Sequence, residues 1–182
     1  MFTFVHLFAR PVAADPVPAR IQASLVAKLL SFDRNLPTRA AGRVKILVLV
    51  DPSEGQSQRV ANEFVGELKG HRDIAGMPVE VLVAPYSDPA STAARIRQER
   101  ISAIYLSVGL SRSAPMLADA LKDVGVMTVA NESKAVSRGV AIGFELEGGR
   151  PKILISLTHA KAQSVALPAS VLSLATIVEG DR

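Results

Sequence analysis

The chain has 182 residues, 48% hydrophobic and 21% charged, with 21 basic and 17 acidic side chains for a formal net charge of +4. This composition excludes a disordered tail, suits one domain with its own core, and contains no apolar run long enough to cross a bilayer as a helix. Interspersed charges, no Trp and 4% aromatic residues exclude a nucleic-acid footprint, and zero Cys removes disulfides, thiol nucleophiles and thiolate metal sites.

Residues 1–8, "MFTFVHLF", are apolar, and Val12-Ala13-Ala14 resembles the small-residue cleavage site of a secretory signal, although the basic start of such a signal is missing. Residues 1–14 therefore read as a leader or truncated signal peptide, and residues 15–182 as a single α/β domain. After it, Ile21, Leu25, Lys28, Leu29 and Phe32 recur at helical spacing, with Asp15 as N-cap and Pro16 or Pro18 in the first turn. "VKILVLVD" (44–51) is a short, uniformly apolar and β-branched run, the pattern of a central parallel strand buried on both faces.

Alternation follows. Helices are predicted over 57–69, 88–99 (opened by Asp88 and Pro89) and 113–124 (opened by Ser113 and Pro115), and strands over 77–86, 101–108 and 126–131. Strand and helix alternating with short links implies βαβ units with right-handed crossovers, hence a three-layer Rossmann-like domain with a mostly parallel sheet. "VAIGFEL" and "PKILISL" flank Glu147-Gly148-Gly149-Arg150, the signature of a tight antiparallel hairpin at one edge. Two short helices close the chain, at 158–163 and 168–177, the second with Pro168 in its first turn and a stripe of Leu172, Leu174, Ala175 and Val178.

In an open α/β sheet ligands sit outside the carboxyl ends of the strands. The tips here are Asp51, Tyr86, Ser107 to Gly109, and Asn131 with Glu132. In "SVGLSRSAP" Gly109 lets backbone approach a ligand, and Ser111 or Ser113 opens a helix whose free N–H groups favour an anion; the same residues fit a glycine turn with a serine N-cap. Asp51 could hold a metal or accept a phosphoryl group, but the strand ending "YLSVG" carries no second acid, so Asp51 also reads as a turn residue ahead of Pro52. The candidate ligand-binding residues are thus Asp51, Ser107, Gly109, Ser111 and Asn131. No catalytic set is read, because there is no G-x-S-x-G elbow and the histidines, His6, His71 and His159, are scattered. Neither H-x-x-x-H spacing nor a glycine-rich phosphate loop occurs, so no metal and no cofactor is expected.

The strand Val126-Met127-Thr128-Val129, then Gly139, Ile142-Gly143-Phe144, Gly149-Arg150, Ile155-Ser156-Leu157, Ala160, and the closing Leu172 with Leu174-Ala175 follow in a recognisable order. In that order the chain resembles the YfiR-like family from about residue 15 to the end, with "LLSFDRNL" (29–36) similar to that family's first helix. It departs from the family pattern at Ser156 and Pro168, in lacking Trp-Pro after the first helix, and in lacking cysteines. The resemblance implies a non-enzymatic periplasmic regulator that binds and restrains an inner-membrane sensor protein such as a GGDEF diguanylate cyclase, linking it to cyclic di-GMP, often as a homodimer. Apolar residues of the last helix, Leu167, Val171 and Leu174, are then the candidate partner contact. A second reading is a small-molecule binding domain resembling one lobe of an ABC-transporter solute receptor. The expected location is the periplasm, or the cytoplasm if residues 1–14 are not a signal.

Overall fold

The computed structural model describes residues 16–179; the leader read over residues 1–14 and the N-cap read at Asp15 lie outside them. The elements run α1 (Ala19–Phe32), α2 (Leu36–Ala40), β1 (Val44–Val50), α3 (Ser57–Leu68), β2 (Asp73–Ile74), β3 (Met77–Pro85), α4 (Pro89–Glu99) and β4 (Ala103–Leu106). They continue with α5 (Ala114–Ala120), β5 (Met127–Ala130), β6 (Ile142–Glu147), β7 (Arg150–Ile155), α6 (Leu157–Ala162), α7 (Ala169–Leu172) and β8 (Thr176–Ile177). All eight strands form one sheet in the order β2-β3-β1-β4-β5-β6-β7-β8.

β1 is central, as its uniform apolarity demands. Period-two alternation sends Ile46, Val48 and Val50 to the face covered by α1 and α3, and Leu47 and Leu49 to the face covered by α4 and α5. α4 begins where Asp88 caps it, the carboxylate accepting from the Ser91 N–H at 2.8 Å with Pro89 next in line. The β6–β7 hairpin pairs Glu147 with Arg150, and Gly148 and Gly149 both take positive φ, 57° and 76°, which is what a two-residue turn with the native strand twist requires.

The ends of the sheet differ from the sequence reading. The predicted helix over 168–177 is only α7, because Thr176 and Ile177 pair in parallel with Leu154 and Ile155 as β8, and the Val178 N–H donates to the Ile155 carbonyl. An unpaired β7 edge and β-branched residues outweigh the weak helical stripe, and Pro168 stands before the helix as its N-cap. At the opposite edge β2 folds back antiparallel on β3, a two-residue element with no periodicity to announce it. The first helix runs to Phe32, the last residue of its helical spacing, and Asp33 then turns the chain with a carboxylate that accepts from the Asn35 and Ala166 N–H groups.

One seam needs side chains. β5 and β6 share a single backbone pair, Val129 with Ile142. Gln163, 2% exposed, closes the gap: its carbonyl oxygen accepts from the Thr128 hydroxyl at 2.7 Å and its amide donates to the Gly139 carbonyl at 3.0 Å. The Thr128 hydroxyl oxygen in turn accepts from the Ala141 N–H at 2.7 Å. Gln163→Leu preserves volume but strands these buried groups, so it is expected to lower stability by about 2–3 kcal/mol. A urea titration should show a lower midpoint with an unchanged slope.

Candidate functional site

The chain passes from β1 to β3 on one side and returns to β4 on the other, so the order reverses between β1 and β4. That reversal brings the loop after Val50 against the loop after Leu106. Asp51, 7% exposed, faces Arg112 across it, with Oδ2 accepting from Nη2 at 3.0 Å. Its other oxygen accepts from the Ser53 hydroxyl at 2.6 Å and the Ser53 N–H at 2.9 Å. The Ser53 hydroxyl holds the carboxyl below the usual Asp range, aided by the Ser53 N–H and Arg112 against the opposing effect of burial.

Gly109 is required here for packing. Its φ is +93°, and a Cβ would stand 2.6 Å from Asp51 Oδ2 and 3.0 Å from Glu54 Cβ. The Gly109 N–H donates to Glu132 Oε2 at 3.2 Å, and Ser111 and Lys134 also bond this carboxylate. Burial pushes Glu132 up, but these bonds outweigh it and leave its carboxyl lowered. The anion that the "SVGLSRSAP" loop was read to attract is thus the protein's own Glu132. The helix expected over 113–124 starts in place, with Ser113 in the N-cap position and Pro115 in the first turn of α5, but it ends at Ala120, follows a 3-10 turn over Leu110–Ser113, and receives no capping bond from the Ser113 side chain.

Ser107 and Asn131 turn inward. The Ser107 hydroxyl donates to the Ser57 carbonyl at 2.8 Å. Asn131 donates to the Tyr105 hydroxyl at 3.0 Å, which donates to Gln22 Oε1 at 3.0 Å, tying β5 through β4 to α1. Tyr105 also stacks on Phe64, ring centres 3.7 Å apart. Of the five candidates, then, Asp51, Gly109 and Ser111 share one cluster and Ser107 and Asn131 belong to the buried framework. Arg112 and Ser53, which complete the cluster, were not singled out; their only signal is adjacency to the two loops that flank the strand-order reversal.

The candidate partner contacts also divide. Val171 is 7% exposed and part of the core, Leu167 is half-buried against it, and Leu174 is 81% exposed. Among the described residues no three His, Asp or Glu side chains gather as a metal site, and no helix is long and apolar enough to cross a membrane. His159 lines a cavity of about 320 Å³ with Asp119, Arg138 and Gly139. Burial holds its imidazole below the usual value, opposed by a bond to the Ser137 backbone.

The family described as YfiR/HmsC-like (DUF4154) matches residues 19–176. An ABC domain from Streptococcus pneumonia, solved in complex with L-Trp, is similar at 17% identity and a TM-score of 0.62, over 88% of this chain and 62% of that one. A conserved domain protein from Vibrio cholerae O1 biovar El Tor is similar at 14% identity and a TM-score of 0.63, over 88% and 60%. A substrate binding protein with adhesive properties from Clostridium difficile, in its ligand-free open form, is similar at 14% identity and a TM-score of 0.59, over 81% and 58%. The chain thus spans about six-tenths of the length of these structures, and at such identities the likeness is one of fold. The comparison with curated proteins returns no match.

Two predictions follow from this geometry. Asp51→Ala removes at once the three bonds that this carboxylate accepts, two from Ser53 and one from Arg112, and should cost about 1–2 kcal/mol, whereas Arg112→Ala, with a side chain 69% exposed, should cost well under about 1 kcal/mol; chemical denaturation separates the two. Because His159 resists protonation when folded, the unfolded chain takes up the proton first as pH falls through the ordinary His range. Its contribution is fully present above that range and is lost below it, so the melting temperature should fall between pH 7.5 and 5.5, and less steeply in His159→Gln.

Proposed function

This chain belongs to the YfiR/HmsC-like family, and from that premise we propose that it is a non-enzymatic periplasmic regulator that docks on an inner-membrane signalling protein, such as a GGDEF diguanylate cyclase, and restrains it. The observation that carries this reading is the last edge of the sheet. Leu174 is 81% exposed, Leu157 46% and Ile177 44%, all within the segment that follows β7, and β8 offers a free strand edge only two residues long. Large apolar side chains at a strand edge form a surface for a protein partner. Leu167 borders this region and Leu174 is its most accessible point, while Val171 supports it from beneath. A homodimer belongs to the same reading, since such an edge also accepts a second copy.

The strand tips favour docking over ligand capture. Asp51 is met by Ser53 and Arg112, Ser107 by Ser57, and Asn131 by Tyr105. A ligand there would have to displace these internal bonds. A second reading, a solute-binding domain, rests on the likeness in fold to the substrate binding protein from Clostridium difficile; Asp51, Gly109 and Ser111 would line its site.

A C-terminally tagged chain, crosslinked in cells and analysed by mass spectrometry, decides between them. Docking predicts recovery of a membrane protein with a periplasmic segment and a GGDEF domain, and at least about a tenfold loss of that recovery in Leu174→Asp with an unchanged melting temperature. Recovery of a transporter permease, or of the chain alone, sinks the cyclase reading.

A further inference from the structure

A cavity of about 550 Å³ opens at the amino ends of β4 and β5, the end of the sheet opposite the strand tips. Its volume is in the range of small-molecule sites. The floor is apolar: Ile96, Ile101 and Val124 are exposed by only 2%, 1% and 5%. Three guanidinium groups line it, those of Arg39, Arg97 and Arg100, against one acid, Asp123.

The three arginines are not equivalent. Arg39 is 6% exposed at its side chain and pairs with the buried Asp33, while Nη1 donates to the Ser164 carbonyl at 3.3 Å. Its Nε is buried and has no hydrogen-bond partner. An unmade bond at a buried donor is costly, and Arg cannot shed its proton to relieve it. Arg97 and Arg100 are exposed and join no ion pair among the described residues. Arg97 alone is explained by α4, since a cation in a last turn offsets the helix dipole. That account does not reach the apolar floor beside the two free guanidinium groups.

We infer that this cavity binds a small organic acid, one carboxylate or sulfonate carried on a compact apolar body. The anion is met by Arg97 and Arg100, and the apolar body rests over Ile96, Ile101 and Val124 beside the aliphatic stem of Arg39. Fork-shaped guanidinium donors suit a planar carboxylate, and an apolar neighbourhood strengthens the pairing. None of the docking-edge residues Leu157, Leu174 and Ile177 lines this cavity, so the two proposals are tested separately.

Gly125 provides a test that leaves the charges in place. Its φ is not in the left-handed region, and a Cβ there would sit 3.7 Å from Arg39 Cδ, an ordinary contact. Gly125→Leu therefore fills the cavity from its wall. The probe is anilinonaphthalene sulfonate, followed by fluorescence titration with benzoate as competitor. The intact chain should bind one equivalent, displaceable by benzoate. Affinity should fall at least about tenfold in Gly125→Leu, and equally in the double variant Arg97→Gln, Arg100→Gln. Leu174→Ser should bind as the parent does, and melting curves should show each variant folded. No saturable one-to-one binding, unchanged affinity in both cavity variants, or loss confined to Leu174→Ser would each overturn the inference.

Discussion

The hydrogen bonds gathered by Gln163 and Thr128 hold the two parts of the sheet together. Four parallel strands, β3, β1, β4 and β5, build the first part through ordinary ladders with β2 antiparallel at its edge, but β6 meets β5 at one residue pair only. What lies beyond it, the hairpin, α6, α7 and β8, shares the core of the first part and a few backbone bonds with it, and at the β5–β6 junction itself buried side-chain amide and hydroxyl groups take the place of a ladder. Because those groups are out of water, their cost if unpaired is high, and the seam has a single good geometry. Gly139 fits the same junction, with φ of +127° and a notional Cβ 2.4 Å from Ala118 Cβ. A larger residue there would push α5 away from the strand it must cover.

The carboxyl ends of β1 and β4, joined by their own ladder, converge and close on themselves. Asp51 and Glu132 are drawn in as internal anions, one met by Ser53 and Arg112, the other by Lys134, Ser111 and the Gly109 N–H. Glycine at 109 allows the carboxylate of Asp51 to approach the neighbouring loop closely. The same backbone economy that leaves room for a ligand in other doubly wound sheets here accommodates a side chain of the chain itself. The two places proposed for recognition, the sheet's last edge and the amino ends of its strands, both lie away from these closed tips.

These two places differ in chemistry. The last edge is apolar and open, with Leu174 and Ile177 beside a two-residue strand. The amino-end cavity is cationic at its rim and apolar at its floor, and its wall is held by the Asp33–Arg39 pair, which also bonds the segment at Ser164 and Ala166. That pair links α2 to the stretch that leads from α6 to α7, so a group seated against Arg39 touches a structural joint shared with the C-terminal elements.

The sequence alone determined the layered α/β class, the central place of "VKILVLVD", the Asp88 cap, the Gly148-Gly149 hairpin and the family resemblance. Each is written in local periodicity or in residues with special backbone freedom, which act over a few neighbours. Only the tertiary structure decided that Asp51 meets Arg112, that Glu132 fills the anion position at Gly109, that Gln163 seals the seam, and that Thr176 and Ile177 extend the sheet instead of a helix. Those outcomes join residues 23 to 61 positions apart, or depend on an edge left unpaired by the rest of the fold. No local pattern carries such pairings, because a buried polar group is satisfied by whatever the folded chain brings within hydrogen-bond reach.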